Sequence, residues 1–263
     1  MKKSLTEREK YLRKKRLGKI KIISSQIAIL AIFLTLWEIL TMTGAIDSFF
    51  VSSPSRKIAC IGKTDNLWLH VKTTLLECIY GFIISAGVGL FIAILLWCSA
   101  LARRILEPYI VVLNSLPKIA LGPLIIIWVG IGVKAIIVMT FLICIIVAII
   151  GFLNGFLAID DGKILLMRSM GANKFQILCK LILPGSLPNI ISVLKVNVGL
   201  SWVGTIMGEY LVSDAGLGYL IIFGGQVFQL DLVMMSTVIL CFLAALMYFV
   251  IAFIEKQIKR KRG

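Results

Sequence analysis

Few side chains in this sequence have the type and spacing that bond-making chemistry needs. Gly62-Lys63-Thr64 matches the end of a phosphate-binding loop, in which backbone N–H groups and a lysine cradle a nucleotide. The full pattern requires a glycine five positions before Gly62, and residue 57 is Lys, so the tripeptide is not a nucleotide site. His70 is the single histidine, which leaves no histidine cluster for a metal. The six cysteines are scattered. Cys78, Cys98, Cys144 and Cys241 fall in or beside apolar runs, Cys179 lies in a polar loop, and Cys60 has no neighbour to pair with. That spacing fits neither a disulfide framework nor a C-x-x-C metal site. No Gly-x-Ser-x-Gly or His-Glu-x-x-His pattern occurs. The expectation is a non-catalytic protein without a cofactor, whose work is recognition and motion.

The polar groups that stand out are those set in hydrocarbon. Lys118 follows Pro117 in an apolar run, and an ionised lysine at mid-membrane costs on the order of 3 kcal/mol on insertion scales, so it must meet water or a carboxylate. Attraction of an anionic solute is one role for it; pairing with Glu107 or Glu209, or snorkelling, is the other. Glu209 would be a gate or the partner of a basic residue, and Lys195 is placed to snorkel to headgroups. Asn114 and Trp202, with Ser115, Asn154 and Asn197, are candidates to line a pathway or to join helices by hydrogen bonds. Pathway residues are therefore expected among Asn114, Pro117, Lys118, Trp202 and Glu209. Glu38 and Glu77 are expected near interfaces or in pairs.

The elements that must position these groups are membrane helices. Of the 263 residues 59% are hydrophobic, and the mean hydropathy is +1.00, well above the range of soluble domains. Six apolar runs are long enough to cross a bilayer as helices: about 22–43, 72–97, 108–128, 134–157, 189–211 and 232–254. The third is broken by Pro117, Gly122 and Pro123, and Gly130-Ile131-Gly132 makes a tight turn into the fourth. Gly81, Ser85, Gly87 and Gly89 give the second run small-residue faces for close packing. Residues 44–70 form an external segment with turn signals at Ser52-Ser53-Pro54-Ser55, and 212–230 an external loop or re-entrant region. The reading is an all-α membrane protein of six spans, with a transmembrane domain at 22–254 between a basic arm, 1–21, and a basic tail, 255–263. Thr6 and Glu9 have capping-box spacing within the arm.

The net charge of +15 follows the membrane and does not imply nucleic acid. Basic residues concentrate in the arm, at Arg103 and Arg104, between the fourth and fifth runs, and in the tail, all on one face. By the positive-inside rule that face is cytoplasmic and both termini lie there. No signal peptide is apparent, because the first apolar run is too long and lacks a small-residue cleavage site.

The loop at 158–188 interrupts the hydrocarbon with a helical elbow. Asp161 is expected to cap a first helix and Gly171 to end it in a left-handed turn. Asn173 is expected to cap a second helix over 174–183, which Pro184 closes. Lys163, Arg168, Lys174 and Lys180 make the elbow basic. A stiff amphipathic elbow of this kind is a handle for another protein to push.

Gly171, Leu181, Leu183 and Pro184 have the spacing Gly-x9-Leu-x-Leu-Pro, and here the sequence resembles the cytoplasmic loop of binding-protein-dependent ABC importer permeases. Leu165, Leu166 and Met167 stand where that family's loop has Glu-Ala-Ala. The resemblance extends to Leu116-Pro117-Lys118-Ile119-Ala120-Leu121-Gly122-Pro123-Leu124 with Trp128-Val129-Gly130-Ile131-Gly132. It continues through Arg168-Ser169-Met170-Gly171-Ala172, Trp202-Val203-Gly204 with Glu209, and Gly216-Leu217-Gly218-Tyr219, all similar to the nitrate/sulfonate/taurine subfamily. It implies a bacterial inner-membrane permease subunit of the type I importer fold, paired with a second copy. Cytoplasmic ABC ATPase subunits would supply the energy, and an extracytoplasmic solute-binding protein would deliver the solute. Leu165, Leu166, Met167, Arg168, Ser169, Gly171, Ala172, Leu183 and Pro184 would then meet the ATPase. The implied cargo is a small anion such as a sulfonate, taurine or nitrate, or alternatively a vitamin precursor such as a thiamine-related pyrimidine. An ATP-independent secondary transporter is a rival without visible inverted repeats or paired intramembrane charges. An intramembrane enzyme is a second, and it would need a base that His70, expected outside the spans, does not supply.

Overall fold

The computed structural model describes residues 7–43, 64 and 66–262. Its helices are α1 (Glu7–Met42), α2 (Leu67–Cys98), α3 (Ala100–Ser115), α4 (Gly122–Val129), α5 (Val133–Leu157), α6 (Asp161–Ser169), α7 (Lys174–Val212), α8 (Leu217–Gln226) and α9 (Leu230–Arg262). The described residues contain no strand. Four of these helices (α2, α5, α7 and α9) are long and apolar enough to cross a membrane, and a fifth crossing results if α3 and α4 count as one broken span. The expected first crossing, 22–43, coincides with the second half of α1, and the basic arm is helical from Glu7 onward. The turn signals at 52–55, Cys60, Gly62-Lys63 and Thr6 lie outside the described residues.

The chain divides into two compact units. One comprises residues 1–64 and 230–235; within it Thr41 donates to the Trp37 and Glu38 carbonyls. The other, 65–229 with 236–263, holds the elements discussed below.

In that second unit α2, α5 and α7 pack side by side. Glycine lets the backbones approach: a Cβ at Gly81 on α2 would sit 2.5 Å from Thr140 Cγ2 of α5, and one at Gly204 on α7 would sit 2.7 Å from Thr140 Cα. Thr140, so enclosed, donates to or accepts from Thr205 at 3.1 Å. Gly89 and Ser85 belong to the same buried face of α2, whereas Gly87 points into open space, because its position on the helix is turned away from α5. Asn189 Nδ2 donates to the Gly151 carbonyl at 2.8 Å, tying α7 to α5. Phe152, Phe156, Ile177, Leu178 and Ile182 make the apolar core at the elbow end of the bundle.

Several boundaries differ from expectation. The third run is not one straight helix: α3 starts at Ala100, so Arg103 and Arg104 lie on a helix and not in a loop, and Pro108 is inside it. Leu116 and Pro117 then break the chain, which resumes as a 3-10 turn, Lys118–Leu121, and α4, bent by 83° from α3. Pro117 removes a donor and excludes helical backbone before it, which accounts for the break. α2 begins at Leu67, so His70 is in a helix's first turn and not in an external loop. Residues 212–230 contain the short apolar helix α8. The tail expected at 255–263 continues α9 without interruption to Arg262.

Candidate functional site

The elbow is built by contacts between near neighbours in sequence. Asp160, and not Asp161, caps α6: its Oδ1 accepts from Gly162 N at 2.6 Å and Lys163 N at 3.2 Å. Asp161 is the first helical residue, placed to favour the positive end of the helix dipole. At the other end Gly171 takes φ +80°, the Gly171 N–H bonds the Arg168 carbonyl, and the Ala172 N–H bonds the Met167 carbonyl. This is the Schellman closure, and the left-handed turn at its corner favours glycine. Asn173 then starts α7 with a full capping box, Gln176 N to Asn173 Oδ1 at 2.8 Å and Asn173 N to Gln176 Oε1 at 2.9 Å. No residue between the two helices is free of backbone restraint.

Pro184 does not close the second helix. α7 runs unbroken for 39 residues, with a π-helical stretch at Leu178–Ile182. Proline removes an amide donor and crowds the carbonyl four residues before it; the wider π turn, just N-terminal to Pro184, relieves both. The elbow is therefore continuous with a helix about 60 Å long.

The expected coupling residues divide by side. Met167, Ala172 and Leu183 turn inward, together with Ile164, which was not among them, against the Phe152–Phe156–Ile177 core. Leu165 and Leu166 face outward at 68% and 60% exposure, with Arg168, Ser169 and Gly171 also exposed. The two most exposed apolar side chains of the elbow, Met170 at 77% and Phe175 at 72%, were missed from sequence. The sequence carries only a weak signal for them: both are large apolar residues beside polar ones, Met170 between Ser169 and Gly171 and Phe175 between Lys174 and Gln176. The result is an apolar ridge on a basic elbow.

The expected pathway residues are not brought together. Asn114, Pro117 and Lys118 sit at the break between α3 and the 3-10 turn, where Lys118 Nζ donates to the Asn114 carbonyl at 3.0 Å. Lys118 thus satisfies the exposed end of α3 and pairs with neither Glu107 nor Glu209. Trp202 and Asn197 are buried in the bundle on α7. Lys195 is not snorkelling free; it forms an ion pair with Glu255 of α9 and lies 5.7 Å from the Tyr248 ring centre.

Among the described residues Glu209 meets no basic side chain. It is buried near the far end of α7, where its carboxylate accepts the Gly218 N–H at the start of α8 and lies against Thr74. The two preceding amides of the same helix start are also taken by side chains: Gly216 N donates to His70 Nδ1 at 2.9 Å, and Leu217 N to Thr74 Oγ1 at 2.7 Å. Three successive orphan donors of α8 are thereby satisfied by α2 and α7. Since Nδ1 accepts, the proton of the His70 ring is assigned to Nε2, and the ring stacks on Tyr219 at 5.9 Å. Gly216 has φ +131° and packs on the Glu209 carboxyl; a Cβ on Gly218 would come within 2.6 Å of Glu209 Oε2. Glu77 is buried against Glu209, the second of the two settings expected for it, a pair, here with another carboxyl group. Among the described residues no group of three or more His, Cys, Asp or Glu is arranged to hold a metal.

Comparison with known proteins converges on one class. Residues 85–262 match the model of the binding-protein-dependent transport system inner membrane component family. A probable ABC transporter permease protein of Haemophilus influenzae is 28% identical over 84% of this chain and 91% of its own length. The taurine transport system permease protein TauC of Escherichia coli is 26% identical over 86% of this chain and 85% of its own. The formylaminopyrimidine transport permease protein ThiX of Halalkalibacterium halodurans is 26% identical over 71% and 75%. Among solved structures, an inward-facing MetNI methionine ABC transporter chain superposes with a TM-score of 0.60 over 73% of this chain and 93% of that one, at 24% identity, which shows a shared fold.

Proposed function

Because the chain belongs to the family of binding-protein-dependent transport system inner membrane components, we propose that it is the membrane permease of an ATP-driven importer whose elbow receives the push of a separate ATPase subunit. The observation that carries this is the geometry of the elbow. Its two helices are capped at the corner without slack, and the second continues as α7 through the bundle. A force on the ridge of Leu165, Leu166, Met170 and Phe175 is delivered to α7 as a rigid-body displacement, the motion that alternating access requires. An exposed apolar ridge of this kind fits a hydrophobic cleft on a partner, and replaces the Glu-Ala-Ala surface usual in the family.

The positive-inside distribution supports a cytoplasmic elbow and cytoplasmic termini. A solute-binding protein would then deliver cargo at the end of the bundle that carries α8, to a pathway lined by two copies of the chain. The similarity to taurine and aliphatic sulfonate permeases favours a small organic anion as cargo. The similarity to the formylaminopyrimidine permease favours a second cargo class, a thiamine-related pyrimidine.

Single cysteines at Ser169 and Asn173, in a chain whose Cys179 has been replaced, test the coupling role in membranes containing the co-expressed ATPase. Crosslinks whose yield changes with ATP are expected. A folded chain that gives none with the ATPase present overturns the reading. Competition of radiolabelled taurine uptake by alkanesulfonates, and by a formylaminopyrimidine, separates the two cargoes.

A further inference from the structure

A second feature of the elbow end shares Leu165 and Arg168 with the coupling surface but reaches beyond it into the bundle. Behind the ridge, between α6 and the junction of α2 with α3, lies a cavity of about 530 Å³. Three of its lining residues are cationic, Arg103, Arg168 and Lys174, and one is acidic, Asp161. Among the described residues none of the three cations takes a carboxylate in an ion pair, Asp161 included. The rest of the wall is largely apolar, with Trp97, Phe156 and Leu157. A second cleft of about 390 Å³ shares Arg103 and Leu157 with the first. It runs between α2, α3 and α5 along Leu96, Ile110, Val111 and Leu153, with Glu107 and Asn154 as its other polar groups.

We infer that this pair of cavities is a binding site for an anionic phospholipid, with the phosphate headgroup among Arg103, Arg168 and Lys174 and an acyl chain in the adjoining apolar cleft. The level fits: α2 ends at Cys98 and α5 at Leu157, so the cationic cavity lies where two spans leave the hydrocarbon. The shape fits an amphipathic ligand better than a soluble anion, since the charged cavity and the apolar cleft adjoin at Arg103 and Leu157. Unneutralised basic pockets between membrane helices on the cytoplasmic side are suited to anionic headgroups. Because α6 and the start of α7 form part of the wall, a bound lipid would brace the elbow against the bundle. The cytoplasmic placement rests on the topology proposed above, whereas the chemistry of the site does not.

The test is native mass spectrometry of the purified full-length chain from nanodiscs of phosphatidylcholine doped with phosphatidylglycerol. Wild type is expected to retain phosphatidylglycerol. Arg103→Gln with Lys174→Gln should lower retention by about tenfold or more, given the effect of each cation near a charged surface. Lys163→Gln with Lys180→Gln removes the same charge from the elbow outside the cavity and should leave retention unchanged. Val111→Trp, an exposed cleft residue, should also lower retention with every cation in place, and it decides the matter if the arginine variant misfolds. Equal loss in both double variants would reduce the effect to diffuse surface attraction and overturn the site. So would displacement of the lipid by millimolar inorganic phosphate, which would make the ligand a free anion. A wrong topology shows separately, as labelling of Cys179 by an impermeant reagent from outside.

Discussion

At one end of α7 the shape of the chain is set by hydrogen bonds within a single turn; at the other it is set by bonds between residues 143 and 146 positions apart. The elbow is held by Asp160, Gly171 and the Asn173–Gln176 box, each acting on its immediate neighbours. The start of α8 is held by His70, Thr74 and Glu209, brought in from two other helices. The difference has an energetic consequence. Local caps fix a corner whose loss need not disturb the bundle, while a buried side chain that accepts an amide from another element is part of the cooperative fold. The elbow is thus suited to transmit a load, and the α8 latch to fix where the far end of α7 stands.

The largest expected effect is at the latch. Glu209→Ala strands the buried Gly218 N–H and leaves a void, at a cost of about 3 kcal/mol, read as a fall in Tm in detergent. Glu209→Gln keeps an acceptor of the same shape and should cost under about 1 kcal/mol. An equal fall in both would mean that the charge, and not the amide cap, is what holds α8. Next, Gly218→Ala drives a methyl against the Glu209 carboxylate and should cost about 2 kcal/mol. At the elbow, Gly171→Ala forces a side chain into the left-handed turn at about 1–2 kcal/mol, confined to the corner. It should reduce ATP-dependent crosslinking while leaving the global Tm unchanged; a parallel loss of Tm would erase the distinction between the two ends. Asn173→Ala should cost about 1 kcal/mol of local helix stability, visible as faster amide exchange at Phe175 and Gln176. Smallest is the coupling itself: Glu209→Ala and Asn173→Ala should add within about 0.5 kcal/mol, as expected for distant sites without shared partners.

How much could be read before the structure follows the same division. The elbow was legible almost residue by residue, because caps and left-handed turns are written in neighbouring residue types. The errors there were small: the cap moved from Asp161 to Asp160, and Pro184 was absorbed by a π turn where a helix end was expected. The broken third run was legible from Pro117, but the 83° bend was not, since proline dictates a break and not its angle. Glu209 was recognised as a group needing a partner and was given the wrong one. Its partners are the Gly218 amide of α8 and the Thr74 and Glu77 side chains of α2, and no local pattern names them.

Composition, hydrophobic run length and the placement of basic residues determined by themselves that this is an all-α membrane protein with a stiff basic elbow, since burial in lipid and helix capping act over a few residues at a time. Which side chains meet across the bundle was decided only by the tertiary structure. The encirclement of Thr140 by two glycines, the capture of Lys195 by Glu255, the cations gathered around one cavity and the three-way capping of α8 each depend on the rotation and offset of whole helices. Those are set by the packing of all the helices together, a property that no window of sequence contains.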